Sequence, residues 1–269
     1  DSILPVEVDI SGIVGEAKRQ LKQEADYQRE AEHMTRYRTL VADDPAVCVP
    51  RVYDDLTTKR VLAMERAWGR PIEDLRSPDH SQSLRDRTGE HLQRLMFREL
   101  FEFGFMQTDP NFANYLFEPE SGRLVLLDFG AAREFPREFV ERYRRICRAM
   151  ISRDREEIRQ AAVAIGYLGE GESEGRAKAL ADLIILIGEP LRRPGVYDFE
   201  GSRLAARARD AGFDLVVRHG FMRPPPPETI FLHRKLAGTF FLCARIGARV
   251  DTHALVAPYL EDRPEGEGA

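Results

Sequence analysis

Asn114 and Asp128 stand fourteen residues apart, at the two ends of a segment that reads as strand, turn and strand. Asn114–Phe117 and Leu124–Asp128 are short runs with strand character, and Glu118-Pro119-Glu120-Ser121-Gly122 between them has the composition of a hairpin turn. Antiparallel pairing folds such a segment back on itself, which returns Asn114 and Asp128 to the same end of the hairpin. A loop, Met106–Ala113, leads into the first strand and carries Asp109-Pro110-Asn111, with Asn114 five positions after Asp109.

Oxygen-bearing side chains gathered in this way match the needs of phosphoryl transfer from a nucleotide. In kinase-type chemistry an Asp in the loop orients or deprotonates the acceptor. An Asn five positions later and the Asp of an Asp-Phe-Gly turn hold divalent metal on the phosphates. Asp109 takes the first role in this pattern, and Asn114 and Asp128 take the second. Amide and carboxylate oxygens, completed by phosphate oxygens and water, suit Mg2+. Asp-Pro-Asn and Asp-Phe-Gly are each common in turns when they stand alone; their joint occurrence around a hairpin is the specific signal.

Upstream, residues 12–40 predict one long helix, rich in Glu, Gln, Arg and Ala and free of Pro and Gly after Gly15. A kinase-like lobe places a Glu on such a helix to pair with a strand lysine that holds the nucleotide phosphates. Glu24, Asp26 and Glu30 are the candidates, with Asp26 and Glu30 four apart on one face. A solvated acidic face laced with Arg29, Arg36 and Arg38 accounts for the same residues. Strand-like runs follow at Pro50–Tyr53 and Arg60–Glu65. The stretch Val61–Gly69 stands where an inter-lobe hinge would be, and its backbone near Glu65–Ala67 would meet adenine; an ordinary edge strand fits it equally well.

Ser83–Phe103 predicts a second helix, with Leu92, Leu95, Met96, Leu100 and Phe103 at helical spacing. From Pro136 onward the pattern is helical, with helices near 137–151, 154–167, 173–190, 200–219 and 228–247. The fold class is therefore α+β, a protein-kinase-like fold. Residues 1–67 would form a partial N-lobe, with the long helix and a few strands, and residues 68–269 a helix-rich C-lobe. Arg and Lys number 40 against 45 Asp and Glu, a net charge of −5, so no bulk basic field favours nucleic acid. The longest apolar stretch, near Leu183–Ile187, is far shorter than the roughly 20 residues of a transmembrane helix. The stripe Leu180, Leu183, Ile184, Ile187 and Leu191 is expected to pack into the helical lobe rather than face lipid. Cys48, Cys147 and Cys243 form no paired motif and read as reduced thiols in a cytoplasmic compartment. His233 has no nucleophile or metal partner near it in sequence and reads as a structural or surface residue. The chain opens on Asp1 rather than Met, which suggests a segment of a longer polypeptide.

Glu24–Ala31 (EADYQREA), Phe105–Asn114 (FMQTDPNFAN) and Leu126–Phe135 (LLDFGAAREF) resemble the UbiB/ADCK atypical kinases, in particular the Coq8-like branch linked to coenzyme Q (ubiquinone) biosynthesis. Pro224–Ala248 is similar to that branch's C-terminal region, so the resemblance runs from about Glu16 to Ala248. It implies that Asp109 is the catalytic-loop Asp, Asn114 and Asp128 the metal-binding pair, and Glu30 the helix Glu that pairs with the nucleotide lysine. Glu24 and Asp26 then match the family's ExD motif, which meets an N-terminal KxGQ extension over the usual substrate cleft. The resemblance further implies ATP with Mg2+ as cofactors and an ATPase activity shown more readily than protein phosphorylation. Expected partners are a quinone-pathway lipid or ubiquinone-biosynthesis proteins, met by peripheral contact at the inner membrane.

The chain departs from the family pattern upstream of Glu24, where it has no KxGQ, no alanine-rich phosphate loop and no AxK strand. Lys18 and Lys22 fall within the predicted helix and do not replace the strand lysine. Without a charge-assisted phosphate contact and a lid, the chain by itself is expected to bind ATP weakly and turn it over poorly. Two other readings share parts of the pattern. One is a small-molecule phosphotransferase, which the Asp-Phe-Gly-Ala turn and the ExD helix fit less well. The other is a pseudokinase-like module that binds a lipid or a biosynthetic partner.

Overall fold

The computed structural model describes residues 26–221 and 224–261. Helix α1 spans Tyr27–Leu40, with Asp26 as its N-cap accepting the Gln28 N–H. The predicted start of this helix near residue 12 and the Glu24 assignment lie outside the described residues. Helix α2, Gln82–Arg98, is capped by Ser81, whose hydroxyl accepts the Leu84 N–H. The sequence pattern carried this helix unbroken to Phe103. Instead, Glu99–Phe103 forms a π-helical turn that closes on Gly104 at φ 55°. Such a turn widens the helix locally and re-aims its side chains; here it carries Glu99 into the interior, fully buried.

The principal sheet has four short strands: β1 (Val47–Cys48), β2 (Arg70–Pro71), β4 (Tyr115–Phe117) and β5 (Leu124–Leu126), in the order β1-β5-β4-β2. The predicted hairpin is β4–β5, antiparallel with Tyr115 opposite Leu126. Strand β1 runs parallel to β5. A second pair, β3 (Phe105–Gln107) with β6 (Ala132–Glu134), brackets the loop and the Asp-Phe-Gly turn, and the sequence pattern did not announce it. The strand-like runs at Pro50–Tyr53 and Arg60–Glu65 do not become ladder strands. They meet through the Val52–Met64 bridge, with Tyr53 N donating to Ala63 O and Glu65 N to Arg51 O. Val61 and Met64 are exposed, so no buried face fixes a longer register.

The C-terminal part is built of α3 (Arg137–Ser152), α4 (Arg155–Ile165), α5 (Glu174–Ile187), the short α6 (Glu189–Arg192), α7 (Leu204–Val217), α8 (Pro227–Arg245) and α9 (Thr252–Leu260). A small antiparallel pair, β7 (Tyr197–Asp198) and β8 (Arg249–Val250), lies among them. One hydrophobic core joins α1, the sheet, one side of α2 and the end of α8 through Met34, Tyr37, Phe117, Leu95 and Leu242. A second joins α3, α4, α5, the other side of α2 and the start of α8 through Met96, Ile146, Ile158, Ile184 and Leu232. Leu180, Ile184 and Leu191 are buried in that second core, as the packing reading expected. Helices α2 and α8 thus belong to both cores, and the candidate site lies where they pass the β4–β5 hairpin.

Candidate active site

The hairpin brings the predicted residues together in the way its register requires. Tyr115 pairs with Leu126, and one step further Leu127 N donates to Asn114 O at 3.1 Å. Asn114 and Asp128 are therefore neighbours at one end of the hairpin. Behind them, the ring of Phe129 is fully buried against Tyr37 of α1, with ring centroids 4.8 Å apart. This anchors the Asp-Phe-Gly turn beneath α1. The Phe129 N–H donates to Glu30 Oε1 at 3.2 Å, and the Phe129 carbonyl lies 3.1 Å from His33 Nδ1. Glu30 and His33, one turn apart on α1, therefore hold the two backbone groups of one residue.

In the loop, Asp109 and Asn114 bond directly, Asn114 Nδ2 donating to Asp109 Oδ2 at 2.8 Å. Gln107 Nε2 donates to the Asp109 carbonyl at 2.7 Å, and the Thr108 hydroxyl donates to the Ala131 carbonyl at 2.7 Å. The loop is thereby tied to the segment that follows the Asp-Phe-Gly turn. Asp109 remains partly accessible while Asn114 is buried.

Helix α8 supplies what the sequence reasoning missed. Arg234 forms an ion pair with Asp109 Oδ1, across 125 positions of chain. One turn later Gly238 lies so close to the loop that a Cβ there would stand 2.0 Å from Pro110 Cβ. A further turn on, Phe241 stacks on Phe112 at 5.7 Å between centroids. Arg234, Gly238 and Phe241 fall at i, i+4 and i+7, one face of the helix, and they meet successive parts of the same loop. A small residue between a cation and an aromatic at that spacing was the available signal. His233 is structural, its Nε2 2.8 Å from the Tyr167 hydroxyl.

The side of the site expected to meet metal is differently provided. Asp128 Oδ1 accepts the Gly130 N–H at 2.9 Å. Gly130 also adjoins Glu30: a Cβ on it would meet Asp128 Oδ1 at 3.4 Å and Glu30 Oε2 at 3.6 Å. Burial first, and then the nearby Asp128 carboxylate, lift the pKa of Glu30, against the Phe129 hydrogen bond. Among the described residues no lysine is bonded to Glu30, so these carboxylates face one another without a cation. That is an environment a divalent ion fits. Asn114 Nδ2 is engaged with Asp109, which leaves the amide oxygen as its remaining ligand atom. Among the described residues no three His, Cys, Asp or Glu side chains gather as a metal cage. Mg2+ takes few protein oxygens when phosphates complete its shell.

The remaining predicted residues are more peripheral. Asp26 caps α1. Glu65 is exposed, and its carboxylate accepts the Arg51 N–H at 3.3 Å. Ala67 is half-buried in an irregular stretch between the Val52–Met64 bridge and β2.

Comparison with known proteins agrees with this architecture. Residues 1–162 match the ABC1 atypical kinase-like domain. The chain is 41% identical over 233 residues to the mitochondrial atypical kinase COQ8B of Rattus norvegicus, covering 87% of this chain and 43% of that protein. It is 37% identical over 252 residues to the mitochondrial atypical kinase COQ8 of Saccharomyces cerevisiae, covering 93% of this chain and 49% of that protein. The chain thus spans less than half the length of these curated relatives. Among solved structures, Rv3197 of Mycobacterium tuberculosis, determined in complex with erythromycin, superposes with a TM-score of 0.76. That likeness covers 96% of this chain and 65% of the other at 21% identity, and it speaks for the fold alone. The resemblance read from the motifs and the kinase-like α+β fold class are both borne out.

Proposed function

This chain belongs to the ABC1 atypical kinase-like family, and we propose that it carries the catalytic-loop and metal-binding portion of an ATP- and Mg2+-dependent kinase or ATPase of the Coq8 type, serving ubiquinone biosynthesis. Residues 1–67 would contribute a partial N-lobe and residues 68–269 the C-lobe. The observation that carries the reading is the convergence of Asp109, Asn114, Asp128 and Glu30 around one hairpin end, with the Asp109–Asn114 bond and the Glu30–Phe129 bond formed.

In this reading Asp109 orients the attacking hydroxyl or water and accepts its proton. Asn114 fixes the rotamer of Asp109 through Oδ2, and Arg234 occupies Oδ1, so an incoming acceptor must share or displace the guanidinium. Asn114, through its amide oxygen, and Asp128, through its carboxylate, would hold Mg2+, which offsets charge on the phosphate oxygens during transfer. Glu30 keeps the Asp-Phe-Gly turn beneath α1 and presents its second oxygen to a cation, the role that a nucleotide lysine would meet in the whole protein. The Glu65–Ala67 backbone is the candidate contact for adenine. Glu24 and Asp26 are the candidate contacts for an N-terminal extension.

The similarity to mitochondrial COQ8 proteins supports a place at the inner membrane, with a quinone-pathway lipid or ubiquinone-biosynthesis proteins as partners. Among the described residues no helix is long and apolar enough to cross a bilayer, and the contact proposed for this chain is peripheral.

The test is thermal stabilisation of the full-length protein by ATP with and without Mg2+, with Asp128→Asn alongside. A stabilisation that needs Mg2+ and is lost in the variant is expected. No response at millimolar nucleotide in either protein would replace the enzyme reading with that of a binding module.

A further inference from the structure

Directly beneath the candidate site lies a buried ion pair that the chemistry above does not use. Lys235 is 2% exposed and Glu99 is fully buried. Their Nζ and Oε2 atoms are 2.9 Å apart. Glu99 Oε1 accepts the Tyr37 hydroxyl at 2.8 Å and the Gln107 N–H at 2.9 Å. Lys235 Nζ donates to Gln107 Oε1 at 3.3 Å and to the Tyr115 hydroxyl at 3.2 Å, and Tyr115 donates to Gln107 Oε1 at 3.0 Å. Every contact leads towards the site. Tyr37 packs on Phe129, Gln107 Nε2 holds the Asp109 carbonyl, and Tyr115 follows Asn114 in β4.

We propose that the Lys235–Glu99 pair is a positioning element for phosphoryl transfer, setting the catalytic loop against α1 and the Asp-Phe-Gly turn from within the core. The proposal rests on the kinase-type reading of Asp109. Four segments meet at this pair: α1 through Tyr37, the π-helical turn through Glu99, the loop entry through Gln107, and α8 through Lys235. The π-helical turn is part of the device, because it is where α2 delivers Glu99 to the interior. Burial disfavours the ammonium, but Glu99 and Tyr115 outweigh it and lift the Lys235 pKa, while burial lifts the Glu99 pKa against the pull of Lys235. A buried ion pair is seldom more stabilising than apolar residues of equal volume. Its consequence here is geometric: directed bonds fix Gln107 and Tyr115 where apolar contacts would let them shift. Arg234, the preceding residue, reaches Asp109 itself, so two consecutive cations of α8 hold the loop from its core and its solvent side.

The test uses the full-length protein carrying Lys235→Met together with Glu99→Gln, which removes both charges and keeps an acceptor for the Tyr37 hydroxyl and the Gln107 N–H. The single Lys235→Met variant leaves a buried carboxylate unpaired and serves only as the control for misfolding. In the double variant the melting temperature is expected to match or exceed that of the wild type. Amides of residues 107–115 should exchange about tenfold faster, with α8 and the β4–β5 turn unchanged. Turnover of Mg-ATP should fall about a hundredfold at nearly unchanged nucleotide affinity, the signature of misplaced groups rather than lost binding. Wild-type exchange and turnover in a stable double variant would overturn the proposal. So would a global loss of protection with a lowered melting temperature, which would make the pair a stability element. If the wild type turns over no ATP, the functional reading fails, and the exchange of residues 107–115 still decides the positioning role.

Discussion

The two halves of the candidate site treat their carboxylates in opposite ways. Asp109 is bonded on both oxygens by groups of this chain, Asn114 on one side and Arg234 on the other. Glu30 and Asp128 face each other with backbone N–H groups but without a cation bonded to Glu30 among the described residues. The Asp109 side is therefore complete in its own contacts, while the Glu30 side holds two carboxylates that positive charge from ligand or from the rest of the protein would balance. Burial and the neighbouring Asp128 carboxylate both disfavour the Glu30 charge, and a cation bound there would offset that cost.

The comparison is tested most severely by Asp109→Asn in the full-length protein. Turnover should fall roughly a hundredfold or more while Mg-dependent nucleotide stabilisation persists, because only the loop half is touched. Loss of both together would show that the halves are one unit. Gly238→Ala should be next in size. Its methyl group would overlap the Pro110 ring, and overpacking of this kind costs about 1–3 kcal/mol in denaturant unfolding; a neutral result would mean that α8 does not seat the loop.

Glu30→Gln probes the other half through pH. The folded-state pKa of Glu30 is raised above its ordinary value of 4.5, so the folded chain binds that proton more readily than the unfolded one. Its contribution is complete below pH 4.5 and is lost as pH rises through the folded value. The variant should lose less stability than the wild type over that rise in metal-free buffer, and parallel melting curves would show that neither burial nor Asp128 raises the Glu30 pKa in the folded chain. The smallest effect is expected from Arg234→Met. Its pair with Asp109 is solvent-accessible, and such pairs are worth at most about 1 kcal/mol. A larger loss in thermal unfolding would make Arg234 structural.

The hairpin and its chemistry were legible because they are local. Short continuous apolar runs, a Pro-Glu-Ser-Gly turn and fixed spacing placed Asn114 beside Asp128 without knowledge of any other element. The long helix was legible for the same reason, although its N-terminal part lies outside the described residues. The hinge run misled in its regularity, since apolar Val61 and Met64 suggested a strand where exposure on both faces leaves only a bridge. The π-helical turn was hidden inside a pattern that any straight helix would also produce.

By itself, then, the sequence determined the kinase-like order of elements and offered Asp109, Asn114 and Asp128 as one candidate set, to which the family resemblance added Glu30. Only the tertiary structure decided what stands around them. Arg234 meets Asp109 across 125 positions, and Lys235 meets Gln107 across 128. Contacts of that separation leave no trace in local periodicity, because a cation on a helix reads the same whether it faces water or a carboxylate. The distinction arises when two cores share α2 and α8, and the packing of those helices turns one face of α8 onto the loop.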